Sequence, residues 1–192
     1  MFERRSIRRY RPEPVPRATI ERLLTAAIWA PNAHNRQPWR FAVITRAESK
    51  EAMAEAMAGR WREDMLRDGL PPEEIEARVQ RSHARLTQAP VLILGCITMT
   101  DMDVYPDPHR QNLEHLMATQ SLALALGNLM LAAHHEGLGS CWMCGPLFAP
   151  EAVREALDLP ADWEPQAVIT LGWPDEARTS TRKPLEEVVV WK

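Results

Sequence analysis

The sequence predicts one domain that combines α-helices with a buried β-sheet. Its 192 residues suit a single hydrophobic core. The apolar runs 91–97 and 166–173 have the length and composition of core strands. Between them, residues 108–136 form a long helical pattern whose second half is apolar on every side. Such a helix has to be buried all round, which in so short a chain predicts that a second subunit supplies part of its cover.

The N-terminal half of the chain contains three predicted helices and one strand. Residues 17–29 repeat apolar side chains at helical spacing and stop before Pro31. A strand is expected over 39–45, followed by a helix over 47–68 and a polar helix over 71–86. The whole stretch 47–88 is the most charged part of the chain, and we expect it to form a mobile helical cover.

The C-terminal half is built around the long helix. Asp107 as N-cap and Pro108 at the first helical position predict where this helix starts, and Gly137 predicts where it stops. A short strand over 140–143 and a short helix over 150–157 precede the core strand 166–173. The tail ends in an apolar run, 187–191, that is typical of a strand. That strand is expected to close the chain's own sheet or to join a partner's sheet.

Charge and composition argue against several classes of protein. A net charge of −3 and a pI near 6.1 disfavour a general role on nucleic acids or membrane surfaces. Residues 1–16 lack the apolar core of a signal peptide, and the apolar run 121–133 is too short to span a bilayer. Three cysteines, an odd number, fit a reducing compartment. We therefore expect a soluble, cytoplasmic protein.

An arginine-rich segment at the N-terminus is suited to bind phosphate. Residues 4–8 read Arg-Arg-Ser-Ile-Arg, which places three guanidiniums and a hydroxyl in five positions. A guanidinium binds phosphate through two parallel hydrogen bonds and stays charged at any working pH. Arg182 offers the same chemistry near the other end of the sequence. The alternative is a solvated basic arm.

A turn rich in amide side chains follows the first helix. Residues 30–39 read Ala-Pro-Asn-Ala-His-Asn-Arg-Gln-Pro-Trp. Asn and Gln side chains each offer a donor and an acceptor, which suits the polar edge of a planar heterocycle. His34 lies in the same turn and is a candidate for lining a substrate pocket. The alternative is an ordinary loop between a helix and a strand.

Two cysteines follow the long helix, within residues 137–145, which read Gly-Leu-Gly-Ser-Cys-Trp-Met-Cys-Gly. Cys141 and Cys144 have the spacing of half a metal site or of a redox pair. The chain contains no second cysteine pair, although His134 and His135 leave a cluster of two cysteines and two histidines open. We expect neither a metal site nor a dithiol role.

In order and spacing, these segments resemble the FMN-dependent nitroreductase family from Arg4 to Pro184. Within that family, residues 132–142 and 157–165 are most similar to the nitroreductase domain of deazaflavin-coenzyme biosynthesis proteins. The flavin-cleaving dimethylbenzimidazole synthase branch is a poorer match, since its turn before Gln-Pro-Trp differs. The resemblance implies an α+β fold, with a mostly antiparallel sheet flanked by helices, in an intertwined homodimer.

The resemblance also implies a set of FMN-binding residues. Two elements near the chain ends would hold the phosphate, the turn would reach the flavin of the other subunit, and the backbone after the long helix would face flavin N5. Arg85, whose alternative is a surface position on a helix, would lie near flavin N1 and O2, with Ser82 as a weaker candidate. The implied residues are Arg4, Arg5, Ser6 and Arg182 for the phosphate, Arg8 for the ribityl chain or pyrimidine edge, Pro31, Asn32, Asn35 and Gln37 in the turn, and Arg85, Met143, Cys144 and Gly145 around the ring.

The implied reaction is hydride transfer from NADH or NADPH through FMN to a small unsaturated, quinone or nitroaromatic acceptor. The cofactor performs this chemistry, while the protein binds it and tunes it. No side chain stands out as an obligatory general acid or base. Two alternatives are a reductase of a deazaflavin-coenzyme intermediate and a non-catalytic flavin-binding protein.

Overall fold

The sheet consists of four antiparallel strands, and the computed structural model describes the whole chain, Met1–Lys192. The strands are β1 (Trp39–Ile44), β2 (Val91–Ile97), β3 (Gly139–Met143) and β4 (Glu164–Gly172), and they lie in the order β1-β2-β4-β3. The helices are α1 (Arg17–Ile28), α2 (Ala47–Arg67), α3 (Pro72–Thr87), α4 (Pro108–His135) and α5 (Pro150–Ala156). The predicted α+β class is confirmed.

Helices cover both faces of the sheet, so the central strand β2 is buried along its whole length. Ile93 and Ile97 point into the larger core, which α1 and α4 share with the sheet. Leu92 and Leu94 point into a second core on the opposite face, to which α2 and α5 contribute. Two buried faces explain why β2 is apolar at successive positions rather than at alternate ones.

The long helix α4 begins and ends close to the predicted positions. The Asp107 side chain accepts a hydrogen bond from the amide of Arg110 at 2.9 Å, which caps the first turn. By length and composition alone α4 could cross a membrane, with a mean hydropathy of 1.5. Its inner side packs in the core beside α1 and the sheet, as the core helix of a folded domain does.

In the single chain the apolar half of α4 is buried on one side only, and its predicted cover by a second subunit stays a prediction. Leu122, Leu126 and Leu129 are buried, but Leu124 on the other side is 50% exposed. Leu116, about two helical turns before Leu124, is also half exposed. The chain has no further element to lay over this side, because its other helices pack against the sheet or against one another.

Helices α2 and α3 form a hairpin with a small core of its own. Ala58 and Met65 on α2 pack against Ile75 and Val79 on α3. An ion pair joins the two helices, with Arg62 Nε 2.8 Å from Glu76. This hairpin lies over one end of the sheet beside α5, as the predicted cover should, while its mobility stays a prediction.

The apolar run at the end of the chain does not form the strand that we expected over 187–191. A short 3-10 turn spans Leu185–Glu187, and Val190 and Trp191 beyond it are more than 80% exposed. The outer edge of β3 is already taken, because the amide of Ile7 donates to the Ser140 carbonyl at 3.0 Å. In this structure the tail does not close the chain's own sheet, and the partner alternative stays a prediction.

Candidate functional site

The N-terminal arm is held against the sheet along residues 6–11. Ser6 bridges to Ser140 on β3, and Tyr10 bridges to Pro174 just after β4. A Cβ at Gly139 would lie 2.8 Å from the Cβ of Ile7, so glycine is what allows the arm to approach this closely. The arm is thus fixed by backbone contacts, and its arginines project from a rigid base.

The half-buried side chain of Tyr10 holds the same arm through hydrogen bonds of its hydroxyl group. It lies 2.5 Å from the carbonyl oxygen of Ile7 and 2.7 Å from the hydroxyl of Thr170 on β4. Burial raises the pKa of Tyr10 well above its usual value, with the hydrogen bond to Thr170 acting in the opposite direction. The phenol therefore stays neutral, and its hydroxyl group holds the arm to β4 by hydrogen bonds.

The segment after β4 brings a second group of basic residues to the arm. Glu176 accepts a hydrogen bond from the amide of Arg8 at 2.7 Å and pairs with Arg178 at 2.7 Å. Burial would raise the pKa of the Glu176 carboxyl, but these hydrogen bonds outweigh it and hold the pKa below its usual range. The Glu176 carboxylate thus holds the N-terminal arm next to the segment that follows β4.

The two segments enclose a basic pocket of about 270 Å³ that contains no hydrophobic side chain. Two of its donors, Arg4 Nη1 and Arg5 Nε, are buried and have no hydrogen-bond partner. Buried donors without partners are rare because each one costs free energy, so these two are suited to receive an anion. The lining residues are Arg4, Arg5, Ser6, Arg8, Arg178, Thr179, Ser180 and Arg182.

A second and larger pocket, of about 550 Å³, lies between the α2–α3 hairpin and the segment after β3. A Cβ at Gly145 would lie 2.1 Å from Cε at the flexible end of Met57, so the α2 side chain packs directly against this backbone. The pocket combines aromatic and sulfur-containing walls with a group of arginines. Its lining residues are Met57, Arg60, Trp61, Glu74, Arg78, Arg81, Ser82, Arg85, Met143, Cys144, Gly145, Phe148 and Ala149.

The two cysteines of the Cys-x-x-Cys sequence have different surroundings. Cys141 is buried in β3, whereas Cys144 is exposed and lines the large pocket. The indole Nε1 of Trp142 donates to the Cys144 sulfur at 3.0 Å. Neither cysteine belongs to a group with metal-ligand geometry. The one such group is Glu51, Glu55 and His83 on the outside of the hairpin.

The amide-rich turn adopts a strained backbone. The backbone φ angle is 49° at His34, 53° at Asn35 and 51° at Gln37. Residues other than glycine rarely occupy this region. The side-chain Oδ1 of Asn32 accepts a hydrogen bond from the backbone amide of Gln37 at 2.8 Å, and an ion pair joins Arg36 to Asp103. Strain of this kind persists only where neighbouring contacts hold it, and it is concentrated at functional sites.

The structure brings most of the predicted site residues together, in two groups. The arginines near both chain ends meet in the basic pocket, and Arg85 meets residues 143–145 in the large pocket. The turn 31–37 lines neither pocket, and the side chains of Asn35 and Gln37 make no hydrogen bond within the chain. A single chain therefore does not collect all the predicted ligands at one place.

Several residues of the two pockets were absent from the sequence prediction. Arg178 and Ser180 line the basic pocket, and their basic and hydroxyl character just before Arg182 was the available signal. Trp61 and Phe148 line the large pocket, but no local pattern places residues so far apart in sequence side by side. His115 on α4 lies outside both pockets and pairs with Glu164 at 2.9 Å.

The sequence profile of the Nitroreductase family matches residues 1–173. The chain therefore belongs to the nitroreductase family. It is 32% identical to a protein named NADH dehydrogenase from Thermus thermophilus, over 100% of this chain and 93% of that protein. It is also 32% identical to the 5,6-dimethylbenzimidazole synthase of Rhodospirillum rubrum, over 90% of this chain and 79% of the relative. Overall identity is thus the same for the Thermus protein and for the synthase, although the turn sequence makes the synthase branch a poorer match.

Solved structures share the same fold. A Desulfovibrio desulfuricans protein assigned as a nitroreductase, solved in complex with FMN, has a TM-score of 0.75 at 29% identity. It covers 100% of this chain and 93% of its own. A BluB-like flavoprotein from Clostridium difficile has a TM-score of 0.80 at 25% identity, with 100% and 96% coverage. The predicted family and fold are both confirmed.

Proposed function

We propose that this protein is an FMN-dependent oxidoreductase that uses NADH or NADPH to reduce a small unsaturated, quinone or nitroaromatic acceptor. The observation that carries the proposal is the basic pocket, where arginines from both ends of the chain converge and two buried guanidinium donors have no partner. Family membership and the FMN complex of the Desulfovibrio relative support it. When bound, FMN supplies hydride chemistry.

The basic pocket fits the phosphate of FMN. A phosphate group presents several acceptor oxygens, and charge-assisted hydrogen bonds from guanidiniums are its strongest protein partners. Arg4 Nη1 and Arg5 Nε would gain the partners that they lack in the free chain. Ser6 and Arg182 line the same pocket, and Arg182 is fixed by its 2.6 Å hydrogen bond to Ser180. Arg8, at the same pocket, would reach the ribityl chain or the pyrimidine edge.

The large pocket would hold the ring. The backbone of residues 143–145 forms one wall, and its amides would face flavin N5 as the family resemblance implies. Arg85 lines the same pocket and makes no ion pair within the chain, so its charge is available for N1 and O2. A cation there stabilises the negative charge that a reduced flavin ring carries. The α2–α3 hairpin would exclude water from the same side.

We further propose that the working unit is an intertwined homodimer in which one single-domain chain, residues 1–192, completes its partner's site. The exposed apolar side of α4 needs a cover, and Leu124 is half exposed without one. The outer edge of β1 is unpaired and the exposed tail segment 187–191 is mostly apolar, so the tail of one subunit can extend the other's sheet. The turn would then bring the free amide groups of Asn35 and Gln37, together with Pro31 and Asn32, to the partner's flavin. The three free cysteines agree with a cytoplasmic location.

The visible spectrum of the purified protein is the primary test. We expect a yellow protein with two flavin bands that bleach rapidly when NADH or NADPH is added without air. Addition of a quinone or a nitroarene should then restore the bands and give repeated turnover. Flavin that binds but is not reduced would indicate a non-catalytic flavin protein. A colourless protein that also fails to bind added FMN contradicts the proposal.

The relative named 5,6-dimethylbenzimidazole synthase gives this test a second readout. A reductase returns its flavin unchanged, so the visible absorbance should recover fully after each cycle of reduction and reoxidation in air. Progressive loss of the flavin bands, with release of a ring fragment detected by mass spectrometry, would assign the chain to the flavin-cleaving branch.

A further inference from the structure

The large pocket carries more positive charge than the proposed flavin requires. Four arginines line it, namely Arg60 on α2 and Arg78, Arg81 and Arg85 on α3, against a single carboxylate, Glu74. The three arginines of α3 are spaced three and four residues apart, so they share one helix face. That face is the one turned towards the pocket.

Two of these charges have partners of their own. Arg78 is hydrogen-bonded to Glu74 at 2.5 Å, one turn earlier on the same helix, and this pair is neutral as a unit. Arg85 is assigned by the proposed function to the reduced ring. The excess therefore lies with Arg60 and Arg81.

Arg60 and Arg81 have hydrogen-bond donors that the chain does not use. Arg81 makes no ion pair, and Arg60 forms exposed ion pairs with Glu63 at 3.7 Å and Asp64 at 3.4 Å on its own helix, without a hydrogen bond. The FMN phosphate does not account for them either, because the basic pocket shares no residue with the large pocket and has five arginines of its own. Two guanidiniums at one pocket therefore keep donors that can bind an anion.

The remaining walls describe the rest of the ligand. Trp61 and Phe148 offer aromatic surfaces, and Met57 and Met143 offer polarizable contacts beside them. Such walls accept a planar apolar body, while guanidiniums select a carboxylate, sulfonate or phosphate on its rim.

We propose that Arg60 and Arg81 select a second substrate that carries an anionic group next to a planar ring. This inference rests on the proposed function, since it concerns the substrate that meets the ring in the large pocket. The anion has two possible sources, an acidic group on the acceptor or the ribose phosphate that distinguishes NADPH from NADH. Both are recognised by the same chemistry, and kinetics separates them.

The test compares matched substrates on the FMN-loaded protein. The acceptors are para-nitrobenzoate and its neutral analogue para-nitrobenzamide, and the donors are NADPH and NADH. Arg81→Gln, Arg60→Gln and the double variant remove the charges. Arg46→Gln is the control, because Arg46 is exposed, lines neither pocket and makes no ion pair. Because solvent exposure weakens hydrogen bonds to charged groups, we expect kcat/KM for the anionic member of one pair to fall about threefold to tenfold per variant.

Isothermal titration calorimetry of para-nitrobenzoate and para-nitrobenzamide provides a readout that needs no turnover. Wild-type protein should bind the benzoate more tightly, the preference should shrink at high salt, and the double variant should lose it while Arg46→Gln keeps it. An effect confined to the NADPH and NADH pair supports the donor as the source of the anion. Equal affinities and equal kcat/KM values within every pair, or a preference that survives in the double variant, would overturn the inference. A protein that reduces neutral acceptors but shows no anion preference retains the proposed function and loses only this inference.

Discussion

Replacement of Arg4 by methionine should weaken FMN binding without harming the free protein. The Nη1 atom of Arg4 is buried and has no hydrogen-bond partner, although the neighbouring Arg5 uses its Nη1 to hold the Phe2 carbonyl at 2.6 Å. Methionine keeps the unbranched, flexible shape of the side chain and removes only the guanidinium. The same substitution therefore acts in opposite directions on the free and the FMN-bound protein.

The magnitudes follow from the state of this one donor. An unsatisfied buried donor costs about 1–3 kcal/mol, but the rest of Arg4 is only half buried, so we expect a gain of at most about 1 kcal/mol in the free protein. For a chain of this size that is an increase in Tm of about 2–4 °C. In the complex, loss of a hydrogen bond to a charged phosphate should raise the Kd for FMN roughly tenfold to a hundredfold.

Fluorescence titration of the flavin-free protein with FMN and with riboflavin measures the binding side. Riboflavin lacks the phosphate, so its weaker affinity should be the same for wild type and Arg4→Met, and only FMN should respond. Arg9→Met is the matched control, since Arg9 lies on the same arm, is exposed and does not line the basic pocket. Thermal unfolding of the flavin-free variants measures the stability side.

Two results would refute the reasoning about the basic pocket. Wild-type protein that binds riboflavin as tightly as FMN would show that the pocket does not hold the phosphate. An Arg4→Met protein with lower Tm in the absence of flavin would show that the Arg4 guanidinium already has a partner in the free chain.

Three further predictions concern other parts of the molecule. Co-expression of Arg182→Ala and Asn35→Ala subunits should restore one intact site per heterodimer and recover activity above that of either variant alone. The double variant Cys141→Ser/Cys144→Ser should keep its flavin and most of its reductase activity, whereas stoichiometric zinc in wild-type protein would contradict this. Because burial raises the pKa of Tyr10, its contribution to stability is complete below about pH 10 and is lost as the pH rises further, so Tyr10→Phe should flatten the alkaline decline of Tm.

Much of the fold could be predicted because its elements have strong local signals. The cap at Asp107, the uninterrupted apolar strand β2 and the proline after α1 each act within a few residues. Strand order and the covering of both sheet faces depend on contacts between distant segments, which periodicity does not encode. The tail illustrates this limit, since 187–191 has the composition of a strand but does not pair within its own chain, and pairing with a partner's sheet stays a prediction.

The basic pocket was predictable for a different reason from the large one. Arginine and serine clusters signal anion binding wherever they lie, so residues 4–8 and Arg182 were candidates by their chemistry, and the family resemblance assigned them to one phosphate. The charges of Arg60 and Arg81 look like an ordinary solvated helix face, and only the packing of the α2–α3 hairpin turns them towards a pocket. Likewise, nothing in the turn sequence announces positive φ at His34 or Gln37.

The basic pocket also constrains when the protein can first bind an anion during its synthesis. Its N-terminal arginines leave the ribosome among the first residues, but Arg178 and Arg182 follow only after all four strands have been made. Since domains begin to fold while the chain is still growing, the sheet must form before the pocket closes over it. In a nascent chain stalled near residue 178, Glu176 is still inside the ribosome. Its carboxylate therefore cannot yet accept the hydrogen bond from the N-terminal arm. We therefore expect FMN to bind late in synthesis. Flavin fluorescence measured on stalled chains of graded length would show at which length FMN first binds.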